Sequence, residues 1–276
     1  MILTDPVESG ISADAVIGGA HNMEMIRNRL KQALRENKLQ CGCWMSLGSH
    51  AAAEICASAG FDWVLIDTEH APNDVPQVLH LLHAAAAYPS SVMVRAYWND
   101  TVLIKRLLDL GVQSLLIPNV QTVEEAKRAV AAVRYPPRGV RGVSANSRSN
   151  RFGRIKDYFK RADDELCLMV QLETRQAVDN LEQIAAIDGI DGLFIGPQDL
   201  AADLGHLGDP AHAESRAAMA DAIARIDKTG KVPGILAFIE ADAKHWISQG
   251  ARFVAVTGDS FLLARSTESV VAAFVK

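Results

Sequence analysis

One pattern repeats eight times along the chain: a short apolar run rich in β-branched residues is followed by an amphipathic segment with helical spacing. Apolar runs without polar alternation are typical of parallel strands that are buried on both faces, and parallel strands are joined by helical crossovers. Several predicted helices end at a glycine, the usual left-handed cap of a helix. The predicted strands are Cys41–Leu47, Trp63–Asp67, Val92–Arg95, Ser114–Pro118, Leu168–Glu173, Gly192–Ile195, Val232–Leu236 and Arg252–Thr257.

The number of strand–helix units predicts the architecture. Eight units close a (β/α)8 (TIM) barrel, and a doubly wound open sheet is the alternative. No linker rich in Pro, Gly or Ser divides the series, so residues 21–276 are predicted to form one α/β barrel domain. Residues 1–20 show neither helical nor strand periodicity, and we predict that they form a poorly ordered extension outside the core.

One predicted connection is unusually long. The segment between Tyr135 and Leu166 is rich in Arg, Gly, Ser and Asn. Connections of this length in a compact domain are usually functional or mobile. Because the loops that follow the strands build the active site of a TIM barrel, we expect this segment to contribute to function. The alternative is a solvated excursion that carries one short helix near Lys156–Arg161.

Charge and composition exclude several classes of protein. The chain has 28 Lys and Arg against 33 Asp and Glu, a net charge of −5, which argues against a surface for nucleic acid or anionic membranes. No apolar run approaches the roughly 20 residues that cross a bilayer, and the first residues are acidic where a secretory signal is basic. Four cysteines are too few for a disulfide scaffold, so we expect buried, free thiols in a reducing cytoplasm: Cys41, Cys43, Cys56 and Cys167.

Two acidic residues follow neighbouring predicted strands, at the barrel edge that carries the active site in TIM-barrel enzymes. Glu173 and Asp199 would repel each other in one cavity unless a cation lay between them, and oxygen donors favour Mg²⁺, Mn²⁺ or another hard divalent ion. A structural alternative makes Asp199 the N-cap of a helix over Leu200–Leu204 and Glu173 an ion-pair partner of Arg95. Both interpretations are compatible with the spacing.

Two further polar residues end strands or follow them. His70 lies on an irregular loop at the barrel mouth beside acidic residues, which makes it a candidate for proton transfer. Arg95 is well placed to hold a carboxylate or carbonyl oxygen. No lysine falls within a predicted strand, which argues against a Schiff-base aldolase, and the motifs of phosphate loops, dinucleotide sites and serine nucleophile elbows are absent from the sequence.

Five strings carry a resemblance to a known family: FDWVLIDTEHAPND, VRAYWND, VRYPPRGVRGV, VQLET and DGLFIGPQDLAADLG. In this order, and over about Gly42 to Ala273, the chain resembles the HpcH/HpaI aldolase family. The resemblance implies a lyase of aromatic-compound catabolism on a (β/α)8 barrel. It implies a class II aldolase that uses a divalent metal cation (Mg²⁺, Mn²⁺ or Co²⁺) and reversibly cleaves 4-hydroxy-2-oxo acids to pyruvate and an aldehyde. It also implies a cytoplasmic hexamer, a trimer of dimers that exchange the last helix.

The resemblance assigns roles to individual residues. By resemblance, His70 is the general base, Arg95 contacts pyruvate during catalysis, and Asp109 pairs with that histidine across a subunit contact. The resemblance also implies that the metal ligands are Glu173 and Asp199, and that pyruvate is bound by Arg95, Gln171, Gly196, Asp199 and Leu236, the last from an adjacent chain.

Some positions depart from the family pattern: Thr68, Asn119, Gln198 and the segment Val143–Phe152. These departures leave the pyruvate half of the predicted site intact, so the aldehyde stays open among succinic semialdehyde, a hydroxyaldehyde and glyoxylate. The alternative activities are a 2-keto-3-deoxy-sugar-acid aldolase and a citryl- or malyl-CoA-type lyase. A catalytically silent barrel that serves as a scaffold is the alternative from a different class.

Overall fold

A closed barrel of eight parallel strands forms the centre of the computed structural model, which describes residues 23–275. The strands follow one another around the barrel in chain order, so the closed barrel is confirmed over the open sheet. The predicted extension over residues 1–20 lies outside the described residues. The strands are β1 Gln40–Met45, β2 Trp63–Asp67, β3 Ser91–Arg95, β4 Ser114–Ile117, β5 Cys167–Leu172, β6 Gly192–Ile195, β7 Val232–Leu236 and β8 Phe253–Gly258.

Helices connect the strands and surround the barrel. Two short 3₁₀ helices also occur, at Arg148–Asn150 and Ala162–Glu165. None of the helices within residues 23–275 is long and apolar enough to cross a membrane. The α-helices are α1 Arg29–Arg35, α2 His50–Ser58, α3 Val75–Ala85, α4 Thr101–Asp109, α5 Val123–Val133, α6 Tyr158–Arg161, α7 Arg175–Asp179, α8 Leu181–Ala185, α9 Pro197–Asp203, α10 Ala213–Lys228, α11 Glu240–Ser248 and α12 Asp259–Phe274.

Side-chain caps begin several helices directly after the strand-end loops. The side chains of Ser49, Asp74 and Asp100 each accept hydrogen bonds from backbone N–H groups in the first turn of the helix that follows. Thr122 and Glu125 form a reciprocal capping box at the start of α5. Each cap contributes about 1 kcal/mol to helix stability. The caps therefore fix where each loop at this edge of the barrel ends.

The barrel interior is filled by large side chains rather than by a pore. Trp63 stacks on Phe253 with ring centroids 4.0 Å apart, and Phe194 meets Phe253 edge to face. A Cβ atom on Gly42 would lie 2.1 Å from the Trp63 ring, so only glycine leaves room for this side chain. A second apolar layer packs between the strands and the surrounding helices. The interior packing separates the two ends of the barrel.

Three of the four cysteines follow the expectation of buried, free thiols. All four are free, and Cys43, Cys56 and Cys167 are buried, whereas Cys41 is half-buried. Burial raises the pKa of the Cys167 thiol well above its ordinary value. The Cys167 thiol is therefore part of the core packing and a poor nucleophile.

The long connection lies at the other end of the barrel from the strand-end loops. It follows α5 and leads into β5, so it is an αβ connection at the N-terminal ends of the strands. There the Arg148 side chain donates a hydrogen bond to the carbonyl oxygen of Leu110, and the carbonyl oxygen of Arg154 accepts one from the Met23 amide at 3.0 Å. The premise that this segment is one of the loops that follow strands is wrong, because helix α5 returns the chain to the opposite end; its contribution to function stays a prediction.

Candidate active site

Polar residues from β2, β3, β5 and β6 meet at the C-terminal edge of the barrel. Arg95 ends β3 beside Asp67, the last residue of β2, and the two are register partners. Glu173 follows β5, and Gly196 follows β6 and precedes Asp199 by three residues. The predicted strand ends thus place the main site residues on one edge, as the topology of a parallel barrel requires.

Arg95 is buried and held by two carboxylates. Its Nε donates to Asp67 Oδ1 at 2.9 Å and its Nη2 to Asp67 Oδ2 at 2.7 Å, which is a bidentate ion pair. Its Nη1 lies 2.8 Å from Glu69 Oε2. The guanidinium carbon lies 4.8 Å from the centre of the Trp44 ring. Arg95 is therefore pre-oriented by Asp67 and Glu69. The alternative in which Glu173 is the ion-pair partner of Arg95 is wrong.

Asp67 orients Arg95 and was not assigned a role from the sequence. Its carboxylate also accepts a hydrogen bond from Trp44 Nε1 at 3.2 Å and from the Glu69 amide at 3.0 Å. Burial works to raise the pKa of Asp67, but the hydrogen bonds and charge of Arg95 outweigh it and hold the pKa below its ordinary value. One feature of the sequence points to this role: Asp67 ends an otherwise apolar strand, and the next strand along the chain ends at Arg95.

Glu173 is buried and positioned through both of its oxygens. Oε1 accepts a hydrogen bond from Gln171 Nε2 at 2.7 Å, and Oε2 accepts one from the backbone amide of Asn119 at 2.7 Å. A Cβ on Gly196 would lie 2.8 Å from Glu173 Cγ, so the glycine permits this close approach. Asn119 has a φ of 52°, a left-handed conformation that asparagine tolerates well. This conformation gives the departure at Asn119 a structural reason.

The acidic side chains at this edge raise one another's proton affinity. Burial, the charge of Asp199 and the charge of Glu69 together raise the pKa of Glu173 to about 8. Burial also raises the pKa of Glu69, with smaller contributions from Asp67 and Asp199, while Arg95 and His70 oppose the shift. The negative charge of these carboxylates is thus greater than the positive charge of Arg95.

This donor set fits a hard divalent cation. Glu173 and Asp199 offer carboxylate oxygens only, and a cation between them would relieve the repulsion that raises the pKa of Glu173. Asp199 is exposed in the first turn of α9, whose N-cap is Gly196. The alternative in which Asp199 caps a helix over Leu200–Leu204 is therefore wrong, since the helix begins two residues before Asp199.

Three other predicted residues also lie at the C-terminal edge. His70 is exposed on the β2–α3 loop, and its backbone amide donates to Asp67 Oδ1 at 3.3 Å. Gln171 is buried, and its Oε1 has no hydrogen-bond partner within the described residues. Leu236 ends β7 at the rim of its own barrel. Whether a second Leu236 reaches the site from an adjacent chain stays a prediction.

Asp109 lies away from the other predicted site residues. It is the last residue of α4, so it lies at the N-terminal end of the barrel, and its Oδ1 is 3.7 Å from Nη2 of the buried Arg141. Within one chain it cannot contact His70, because the packed barrel lies between the two ends. The predicted pairing of Asp109 with His70 of another subunit stays a prediction.

Fold and site together define an enzyme of the TIM-barrel class, with an oriented arginine and a group of acidic residues at the catalytic edge. The model of the HpcH/HpaI aldolase/citrate lyase family matches residues 40–266, and the chain belongs to this family. It is therefore a class II aldolase, a carbon–carbon lyase of a divalent-metal-dependent family.

Relatives support this assignment over most of the chain. The 4-hydroxy-2-oxo-heptane-1,7-dioate aldolase of Klebsiella pneumoniae subsp. pneumoniae is 54% identical over 250 residues, which cover 90% of this chain and 94% of that protein. The Escherichia coli protein of the same name is 52% identical and covers 90% of this chain and 95% of its own. A solved HpcH/HpaI aldolase/citrate lyase family protein from Burkholderia cenocepacia J2315 has a TM-score of 0.87 and 41% identity, and covers 90% of this chain and 100% of its own.

Proposed function

We propose that the chain catalyses reversible aldol cleavage of 4-hydroxy-2-oxo acids such as 4-hydroxy-2-oxoheptanedioate, with pyruvate and an aldehyde as products. The observation that carries this proposal is the juxtaposition of an oriented cation, Arg95, with the acids Glu173 and Asp199 at one edge of the barrel. Relatives that match about nine-tenths of the chain carry the name of this reaction.

Glu173 and Asp199 would hold the divalent cation, Mg²⁺, Mn²⁺ or Co²⁺, which when bound polarises the keto oxygen of the substrate as a Lewis acid. Gln171 and the Asn119 amide keep Glu173 in place for this role through the hydrogen bonds to its two oxygens. The acidic ligands must be deprotonated to bind a cation, so binding competes with the proton that the raised pKa of Glu173 favours.

Arg95 would stabilise the negative charge that develops on the keto oxygen when the C3–C4 bond of the substrate breaks. Its orientation costs little during the reaction, because Asp67 already holds the guanidinium by two hydrogen bonds and Trp44 packs against its face. His70, exposed at the mouth, would accept the proton of the C4 hydroxyl group. Gly196 and the amide of Asp199 would border the pyruvate carboxylate, with Gln171 beside it and Leu236 at the rim.

The test is release of pyruvate from 4-hydroxy-2-oxoheptanedioate before EDTA treatment, after it, and after Mg²⁺, Mn²⁺ or Co²⁺ is restored. We expect EDTA to stop release and a divalent cation to rescue it. Release that persists in EDTA would contradict the metal-ligand role of Glu173 and Asp199. A 2-keto-3-deoxy-sugar acid and malyl-CoA serve as competing substrates, and a higher kcat/KM for either would replace the proposed substrate class. No turnover of any of the three would favour the scaffold alternative.

We also propose a hexamer, a trimer of dimers, in which α12 packs on a neighbouring subunit. The support is that Asp259 is the one buried residue of this 16-residue helix, while apolar side chains along it are exposed. Exposed apolar surface of this extent is typical of subunit contacts. Light scattering after gel filtration should give a hexamer for the wild type and a smaller species for V270D/F274D. The free cysteines are consistent with our proposal of a cytoplasmic enzyme.

A further inference from the structure

A polar cavity lies at the N-terminal end of the barrel, opposite the proposed active site. It has a volume of about 220 Å³ and lies beneath the first residues of β3 and β4. The long connection between α5 and β5 forms one of its walls, and the segment that leads into α1 forms another. Among the described residues, its lining includes no Asp or Glu and four arginines: Arg27, Arg29, Arg148 and Arg151.

Most of this positive charge has no carboxylate partner in the described part of the chain. Arg27 pairs with Glu165 at 2.9 Å. Arg29, Arg148 and Arg151 take part in no ion pair within residues 23–275. The Arg148 guanidinium donates a hydrogen bond to the Leu110 carbonyl oxygen, a neutral acceptor that leaves its charge uncompensated.

Arg148 and Arg151 are both half-buried, and the backbone brings them close together. Gly111 makes room for the first, since a Cβ there would lie 3.1 Å from Arg148 Nη1. Arg151 has a φ of 54°, a left-handed conformation that a residue with a side chain adopts only at a cost. Burial and the neighbouring charge of Arg151 lower the pKa of Arg148. The fold therefore maintains a repulsive arrangement that an anion would relieve.

We propose that this cavity binds a compact oxyanion of the phosphate class, held by the guanidinium groups of Arg148 and Arg151 with Arg29 beside them. Guanidinium groups match the geometry of tetrahedral oxyanions and bind them by charge-assisted hydrogen bonds. The cavity is far larger than the roughly 10–15 Å³ that one water molecule needs, so an anion of this size has room. Within one chain the site is separate from the proposed aldolase site, because the packed barrel interior lies between them.

The test uses inorganic phosphate and the full chain after EDTA treatment, which prevents phosphate from binding through a divalent cation. Phosphate is added at constant ionic strength and kept to about 10 mM, so that general effects of excluded salts stay small. We expect phosphate to raise the Tm by about 2–4 °C, because a ligand that binds only the folded chain stabilises it. Calorimetric titration should give one site per chain.

The decisive variants are R148Q/R151Q and the matched control R154Q. Arg154 lies on the same segment and is exposed, and it does not line the cavity. We expect R154Q to retain the phosphate effect and R148Q/R151Q to bind phosphate at least tenfold more weakly. If R148Q/R151Q does not fold, R151Q alone carries the test, since it leaves the contact between Arg148 and Leu110 in place.

Three outcomes would overturn the proposal. Phosphate has no effect on the wild type in the first. In the second, R148Q/R151Q keeps the full effect, which would move the anion to another cation such as Arg95. In the third, R148Q/R151Q changes the oligomeric state, and calorimetry detects no binding of phosphate to the wild type. That result would mean that the cavity belongs to a contact between copies of the chain.

Discussion

The two ends of the barrel carry opposite charge imbalances. At the C-terminal edge, the buried Arg95 lies among acidic side chains, and burial and acidic neighbours raise the pKa of Glu173 to about 8. At the N-terminal end, arginines line a cavity to which residues 23–275 contribute no acidic side chain, and burial and the charge of Arg151 lower the pKa of Arg148. At each end, burial and neighbouring groups of like charge therefore disfavour the ionised form of a side chain: Glu173 at one end and Arg148 at the other.

The barrel interior keeps these two ends apart. Trp63, Phe194 and Phe253 fill the interior between the ends, so the acids and the arginines cannot neutralise each other by direct contact. An imbalance that persists inside one chain is best explained by a ligand of opposite charge, a divalent cation at one end and an oxyanion at the other. At the C-terminal edge, Asp67 and Glu69 when ionised carry more negative charge than Arg95 compensates, and Glu173 and Asp199 add to this excess.

The largest expected effect is at the acidic end. E173A should lower metal-dependent kcat by at least about 10³-fold, because it removes a proposed cation ligand and with it the polarisation of the substrate. Steady-state kinetics with saturating Mg²⁺ and Mn²⁺ measure the loss, and circular dichroism checks the fold. D179N changes an exposed acid on the neighbouring helix and should leave the rate unchanged. Wild-type turnover in E173A would remove the metal centre from this end.

A smaller loss is expected when Arg95 is left without its orienting partner. D67N should lower kcat/KM by about 10²-fold, because a neutral amide cannot accept the bidentate hydrogen bonds that hold the guanidinium. The measurement is a double-mutant cycle with R95K. We expect D67N/R95K to be hardly slower than R95K alone, since both changes remove one interaction. Fully additive losses would mean that Asp67 acts independently of Arg95.

The pH dependence of metal binding follows from the raised pKa of Glu173. Between the ordinary pKa of a glutamate, about 4.3, and the folded value of about 8, the metal-free folded chain holds a proton that the unfolded chain has lost. The stability of the metal-free chain should therefore fall as pH rises through this window and level off above about pH 8. D199N should reduce this dependence, because it removes a charge that raises the pKa of Glu173.

The same protonation should appear in the metal affinity. Because a cation must displace the proton from Glu173, the apparent Kd for Mn²⁺ should fall by up to about tenfold for each pH unit from 6 to 8. Titration calorimetry in buffers of different ionisation enthalpy measures the released proton directly. A Kd that does not change across this range would show that the acids are already ionised in the metal-free chain.

The smallest effect is expected at the basic end without any anion. R151Q should raise the Tm by about 1–2 °C at low ionic strength, because it removes the charge that repels Arg148. Added NaCl should shrink the difference by screening. If R151Q has a lower Tm than R154Q in phosphate-free buffer, Arg151 stabilises the fold without an anion. The N-terminal end would then hold no unfavourable excess of positive charge.

Most of the barrel could be predicted from the sequence. The eight apolar runs match the eight strands to within a few residues at each end, because strands covered on both faces need continuous apolar side chains. The same reasoning placed Arg95, Gln171 and Glu173 on one edge, because parallel strands all end at the same side of a barrel. The resemblance to the aldolase family identified the reaction class, which spacing alone left open.

Pairings within the site could not be predicted in the same way. Sequence spacing offered Glu173 as a partner of Arg95, but the register of β2 on β3 places Asp67 directly beside the arginine. Asp199 lies inside the first turn of its helix, because Gly196 is the N-cap. These outcomes depend on which atoms approach to within hydrogen-bonding distance, and a difference of one residue in register changes them.

The sequence by itself determined the barrel and which strand-end residues lie at its C-terminal edge, because periodicity and strand direction are local properties that add up to one topology. Only the tertiary structure decided that Asp67 orients Arg95, that Asp109 lies at the opposite end, and that the arginine-rich connection lines a separate cavity there. The physical reason is that these contacts join residues far apart in the chain, whose side chains meet only after the barrel has closed.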